Sequence, residues 1–163
     1  MTKVETSTAN SFIVGLGEGR TAEPLNILGE PVLVKLASSD AEGAAAVFHI
    51  TAPPMSGPPL HRHSREDEFF YVLEGVVMFE IDGQRIVTKA GDSAYAARGT
   101  AHAYQNFTAE TAKLLVMTTP GTNFNEFFVR LSAHNEGLHA PDFEGSERLM
   151  NEYGMEMLGP PLS

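Results

Sequence analysis

There is no cysteine among the 163 residues, which excludes disulfides, thiolate metal sites and cysteine nucleophiles and leaves imidazole and carboxylate as the strong metal ligands. No apolar run is long enough to cross a bilayer, and no basic segment leads into an apolar core at the N-terminus. The expectation is therefore a chain with neither membrane span nor signal peptide, cytoplasmic by default. Positive charge is also scarce: 11 Lys and Arg against 21 Asp and Glu give a formal net charge of -10. Such a surface repels a phosphate backbone or an anionic membrane, so neither nucleic acid nor membrane is an expected partner. Long repeats, low-complexity runs and Pro/Ser-rich linkers are missing as well, and the length suits one domain. With 42% hydrophobic and 20% charged residues, the chain has the composition of an ordinary folded protein and not of a disordered one.

What is present divides into three zones. Residues 1–30 mix Thr, Ser, Gly and Asn around one apolar piece, Phe12-Ile13-Val14, and read as an irregular arm able to add a strand. Residues 31–120 alternate short β-branched or aromatic runs with turn residues, the pattern of an all-β sandwich or barrel. The expected strands are Val32-Leu36, Ala44-Ala52, Leu60-His63, Glu68-Leu73, Val76-Ile81, Arg85-Thr88, Ser93-Ala96, Ala101-Asn106 and Lys113-Thr118. Asp82-Gly83-Gln84 is the clearest hairpin signal, because a tight turn needs positive φ and glycine supplies it. Residues 121–163 change period: Phe124, Phe127, Phe128 and Leu131 fall at helical spacing, and so do Leu149, Met150 and Tyr153 within Ser146 to Met155. Two helices packed on the barrel follow, with Asn123 and Ser146 as N-caps and Gly137 and Gly154 as stops. The phenylalanine stripe reads as core.

Chemistry concentrates in PPLHRHSREDEFFYVLEG, residues 58–75. The proline pair disfavours a helix, and on a strand the period of two turns His61 and His63 to one face, close enough to grip one ion. Glu68 lies at an odd offset from His63, so a turn or bulge in Ser64-Arg65-Glu66-Asp67 must intervene, with Glu66 and Asp67 as rivals for its role. His102 stands in a second glycine-bracketed segment, GDSAYAARGTAHAYQN. Three imidazoles and a carboxylate suit one divalent ion, Fe, Mn, Ni, Co, Cu or Zn, with open positions left for a substrate. Phe70 and Val72 share the parity of Glu68, and Tyr104 that of His102, which makes these three candidates to line the cavity. His49 reads as a core or rim residue, while His134 and His139 sit near a helix end that favours a cation. Arg65-Glu66-Asp67 reads as a solvated charged turn, and Asn106 as a shaper of a turn.

These residues resemble the two motifs of the cupin superfamily, G-x5-H-x-H-x(3,4)-E-x6-G and G-x5-P-x-G-x2-H-x3-N. His61, His63, Glu68 and Gly75 fall in register with the first, and Gly91, Gly99, His102 and Asn106 with the second. Met55 replaces the first motif's leading glycine, with Gly57 two places on, and Ala97 replaces the second motif's proline. The likeness is nearest to the single-domain quercetin dioxygenase-like cupins. It implies a double-stranded β-helix (jelly-roll) barrel and a metal held by His61, His63, Glu68 and His102. It also implies oxidation of a small phenol, enol or diketone by dioxygen, with Glu68 as both ligand and base, and assembly as a homodimer. A Lewis-acid enzyme (isomerase, decarboxylase or hydrolase) and a non-catalytic small-molecule-binding cupin would use the same ligands.

Overall fold

In a computed structural model of the protein, which describes residues 11–163, the middle zone folds as alternating inward and outward residues on short strands. The strands are β1 (Leu25–Ile27), β2 (Glu30–Leu36), β3 (Ala46–Ala52), β4 (Pro59–His63), β5 (Asp67–Glu74), β6 (Val76–Ile81), β7 (Gln84–Lys89), β8 (Ser93–Ala96), β9 (His102–Gln105), β10 (Ala112–Thr119) and β11 (Met155–Pro161). Two helices, α1 (Phe124–His134) and α2 (Phe143–Glu152), stand before the last strand. Pairing is antiparallel and gives two sheets, one ordered β1-β2-β3-β10-β5-β8 and the other β11-β4-β9-β6-β7. The inner faces bury Val32, Val34, Phe48, Val72, Val77, Leu114 and Val116 completely or nearly so. Each such aliphatic side chain withdrawn from water is worth roughly 1.5–3 kcal/mol before the entropy of ordering it is counted. This is the all-β barrel with C-terminal helices that the sequence pattern predicts, and no described helix is long and apolar enough to cross a membrane.

All nine expected strands coincide with observed ones to within one or two residues at each end. The β6–β7 hairpin closes through Asp82 and Gly83, both at positive φ (51° and 76°), the two-residue geometry that matches strand twist. Four details differ from the expectation. Phe12, Ile13 and Val14 form no strand, and the arm instead contributes Leu25–Ile27. The first ten residues of the arm lie outside the described residues. Helix α2 begins before Ser146: Asp142 is its N-cap and accepts from the Gly145 amide at 3.0 Å, whereas Ser146 is fully buried within the first turn. Asn123 does stand at the N-cap of α1 but makes no side-chain cap bond, and α1 ends at His134 rather than at Gly137. Strand β11, unanticipated, runs along β4 with Met155 opposite His63 and Met157 opposite His61. The C-terminus thus flanks the strand that carries two of the candidate ligands.

Helix α1 lies over the open side of the barrel because its apolar face meets the sheet: Phe124 and Phe128 place their rings 5.7 and 4.7 Å from that of Phe48. The β1 end of the sheet is tied to the same helix by the Asn26 amide, which donates to Ser132 Oγ at 2.9 Å.

Candidate metal centre

Strand parity places His61 and His63 inward on β4, with Arg62 between them exposed. Beyond His63 the chain bends through Ser64 and Arg65 and enters β5, which belongs to the other sheet. The odd offset of Glu68 is resolved in this way: its carboxylate comes from the facing sheet and not from a return along the same one. On β9, His102 pairs directly with His61. All four side chains are buried, and one ligand atom from each lies within 4.8 Å of the others. Donors sharing an ion at about 2.1 Å each stand up to roughly 4.2 Å apart, so only a slight contraction is required.

The orientation of the rings argues further. His61 Nδ1 lies 2.8 Å from the Pro59 carbonyl and His102 Nδ1 lies 2.9 Å from that of Thr100. A carbonyl only accepts, so both Nδ1 atoms carry the proton; His61 Nε2 then offers its lone pair inward, and His102 Nε2 is turned to Glu68 Oε2 at 2.8 Å. His63 Nδ1 faces Glu66 at 3.5 Å, and its Nε2 faces Glu68 at 3.3 Å, too far in either case for a good hydrogen bond. Both His63 nitrogens are buried without a hydrogen-bond partner. Buried polar atoms left in this state are rare and call for an additional partner. His61 and His102, each held by a backbone carbonyl at the outer nitrogen and turned towards the shared centre at the inner one, have the arrangement that fixes metal-binding histidines. The residues therefore fit a divalent cation.

Charge in the cluster is mutual. Burial pushes Glu68 upward, but His63 and His102 outweigh it and hold the carboxyl well below the usual carboxylate range. Burial likewise disfavours charge on His63, yet Glu68 and Glu66 push it up to about 9. His61 has no comparable partner, and burial followed by the neighbouring His102 and His63 lowers it to about 3.

The rivals of Glu68 are placed elsewhere. Asp67 pairs with Arg98 at 2.9 Å, and Glu66 stands behind His63, away from the shared centre. Since Glu66 is only 5% exposed, the 65–67 turn is not the fully solvated loop its composition suggests. His49, His134 and His139 lie outside the cluster. A cavity of about 70 Å³ adjoins the four ligands, with Phe70 and Tyr104 on its wall and Phe124, Phe127 and Phe128 of α1 as its roof. Val72 is not on that wall; it is fully buried two residues further along β5, within the core. Glu30, on the cavity wall, was not singled out by the sequence. Its signal was parity: Glu30, Val32 and Val34 all face inward on β2.

Comparison with known proteins bears on the same region. The cupin domain family model matches residues 48–118. An oxalate-binding protein of Thermotoga maritima is 34% identical over 80 residues, covering 48% of this chain and 66% of that protein. The matched segments span less than two thirds of the length of the curated relatives. Among solved structures, a predicted oxalate decarboxylase from Thermotoga maritima superposes with a TM-score of 0.60 at 24% identity, over 66% of this chain and 98% of that one. An RmlC-like cupin from Shewanella frigidimarina does so with a TM-score of 0.57 at 20% identity, over 71% and 96%. At such identities the structural likeness speaks for the fold.

Proposed function

From the premise that this chain carries a cupin domain on the cupin double-stranded β-helix, we propose that it is a metal-dependent oxidoreductase of the quercetin dioxygenase-like kind. In this reading His61, His63, Glu68 and His102 hold one divalent ion, and a small phenol, enol or diketone is oxidised by dioxygen beside it. The observation that carries the reading is that four inward-facing donors converge on a cavity whose remaining wall is almost wholly apolar. When bound, a redox-active ion would supply the electron path between an oxygen-donor substrate and dioxygen. The rest is the work of the chain. Pro59 and Thr100 carbonyls fix the His61 and His102 rings, Glu68 takes the substrate's hydroxyl proton at its carboxylate, and the α1 phenylalanines exclude water. A cytoplasmic homodimer belongs to the same proposal.

The cavity volume favours small substrates over flavonols. Its roughly 70 Å³ is about half the ~150 Å³ of a protein cavity that holds benzene, so a flavonol must displace the phenylalanine roof. Size also admits an oxalate-type ligand, the second reading, which the name of the Thermotoga maritima relative suggests. Against it, no Lys or Arg among the described residues lines the cavity and Glu30 adds a second buried carboxyl, so a dianion would depend on the ion and the ligand histidines for compensating charge.

Oxygen uptake by anaerobically Fe(II)- or Mn(II)-loaded protein, given small phenols, enols and diketones, tests the proposal. The expected result is consumption that vanishes in His102→Ala. Equal turnover with Zn(II) would assign Lewis-acid chemistry instead, and tight binding without product over long incubation a binding protein.

A further inference from the structure

Apart from Glu68, Glu30 is the only carboxyl group on the cavity wall among the described residues, and the proposed reaction makes no use of it. It opens β2 and is 4% exposed. Its Oε1 accepts from Ser56 Oγ at 2.8 Å and its Oε2 accepts from the Tyr104 hydroxyl. A carboxylate offers about four lone-pair positions, so roughly two remain for another donor. No lysine or arginine among the described residues lies on the wall to compensate its charge, and burial pushes its carboxyl up to about 7. A carboxyl buried in this way costs folding energy. An uncharged glutamine would tie β2 to Ser56 and Tyr104 as well, so the structural bonds alone do not account for an acid here.

Position gives the acid a use. Tyr104 follows His102 by two residues on β9, which sets its ring about 7 Å further along the cavity. The Phe70 ring bridges the interval, 6.0 Å from the His102 ring and 6.2 Å from that of Tyr104. The cavity is thus polar at two places, the ligand cluster and Glu30, with aromatic wall between them. We infer that Glu30 positions the substrate: it accepts a hydrogen bond from a hydroxyl or amine on the end remote from the cluster, and its charge rejects a carboxylate there. This inference rests on the metal-centred reading above and narrows its substrates to those with a donor at the far end.

The test uses Co(II)-loaded protein at pH 8, where Glu30 is ionised, kept anaerobic and titrated with phenol, hydroquinone, 4-aminophenol and 4-hydroxybenzoate. The four probes share one hydroxyl for the cluster and differ only across the ring. Binding is read from the visible Co(II) spectrum and by calorimetry. Hydroquinone and 4-aminophenol should bind roughly three- to tenfold more tightly than phenol, the range of one net hydrogen bond, and 4-hydroxybenzoate more weakly. In Glu30→Gln the penalty on 4-hydroxybenzoate should disappear. In Glu30→Leu the preference for hydroquinone should go while phenol affinity stays. Equal affinity for all four in the unsubstituted protein overturns the inference alone. A Glu30 substitution that weakens all four by one factor does the same, since that is the mark of a structural role. Protein that takes up Co(II) but responds to none of the four overturns the proposed function as well. The unsubstituted series decides by itself if either variant fails to fold.

Discussion

Met55 adopts φ 61°, a backbone region that costs a non-glycine residue roughly 1–2 kcal/mol. It occupies the place where the cupin motif has glycine, so this departure is borne as local strain and not as a different loop. Gly57 does a separate job: a Cβ there would meet the Tyr104 carbonyl oxygen at 2.1 Å, because the loop crosses β9 at close range. Since the Met55 side chain is 67% exposed and its loss removes little packing, Met55→Gly should be neutral or stabilise by up to about 1 kcal/mol once glycine's extra unfolded-state entropy is deducted. Urea unfolding at constant slope measures it, and a loss above that size would show that the side chain is held by packing. Glu30 gives the second residue-scale prediction. Its carboxyl is raised from 4.5 to about 7, so between those values the folded protein keeps a proton that the unfolded chain has released. Stability conferred by that proton is complete below pH 4.5 and is lost as pH rises through 7, a fall of about 3 kcal/mol from this one group. Unfolding at pH 5 and pH 8 should therefore show a steeper fall in the unsubstituted protein than in Glu30→Gln, and parallel falls would contradict the assignment.

Between residues and fold, Asn106 shows how a single side chain fixes an element. Its Nδ2 donates to the carbonyls of Ala52, Pro53 and Glu110, and its Oδ1 accepts from Thr108, so the end of β9 and the turn into β10 are pinned to the end of β3. Asn106→Ala should cost about 3 kcal/mol, because several buried carbonyls lose their donor together, and thermal unfolding should show it without loss of the metal ligands. The turn-shaping role of Asn106 was legible in advance, since glycine spacing and strand periodicity are local signals. The same signals located the strands of the barrel and the common face of His61 and His63. What stayed hidden depends on partners distant in sequence. The β11 segment MEMLGPP alternates poorly and contains two prolines, and it is a strand because β4 offers it an edge. Gly145 weakens the helical pattern just where α2 begins, so the start appeared to be Ser146 when Asp142 was the cap. The crossing between sheets that delivers Glu68 likewise has no sequence signature beyond an odd spacing.

At the scale of the whole molecule, the candidate ligands join parts that the hydrogen bonds of either sheet leave separate. His61, His63 and His102 belong to the sheet ordered β11-β4-β9-β6-β7, and Glu68 to the facing one. An ion held by all four would cross-link the two layers in the folded state only. β7 is an edge strand whose Ile86 and Val87, on opposite faces, are 59% and 60% exposed, and in the proposed homodimer a second copy would cover this edge. Light scattering should give a dimer, and Ile86→Lys should shift it towards monomer; a monomer at high concentration would discard the homodimer.

Metal linkage supplies the remaining test, because it needs no substrate. A ligand bound to the folded state alone stabilises it by RT ln(1 + [L]/Kd), about 4 kcal/mol when the free ion is a thousand times Kd. For a chain of this length each kcal/mol moves Tm by about 2–4 °C, so loading the chelator-treated protein should raise Tm by about 10 °C. Arg62, which points outward between the two histidines of β4, provides the control: Arg62→Ala should keep the whole increment. His102→Ala should lose most of it while the cooperative transition persists, since only the cross-link between the sheets is removed and the barrel's core is intact. A Tm indifferent to both chelator and added ion would mean that the four side chains satisfy one another without a cation, and the metal-centred reading would then fail whatever the substrate.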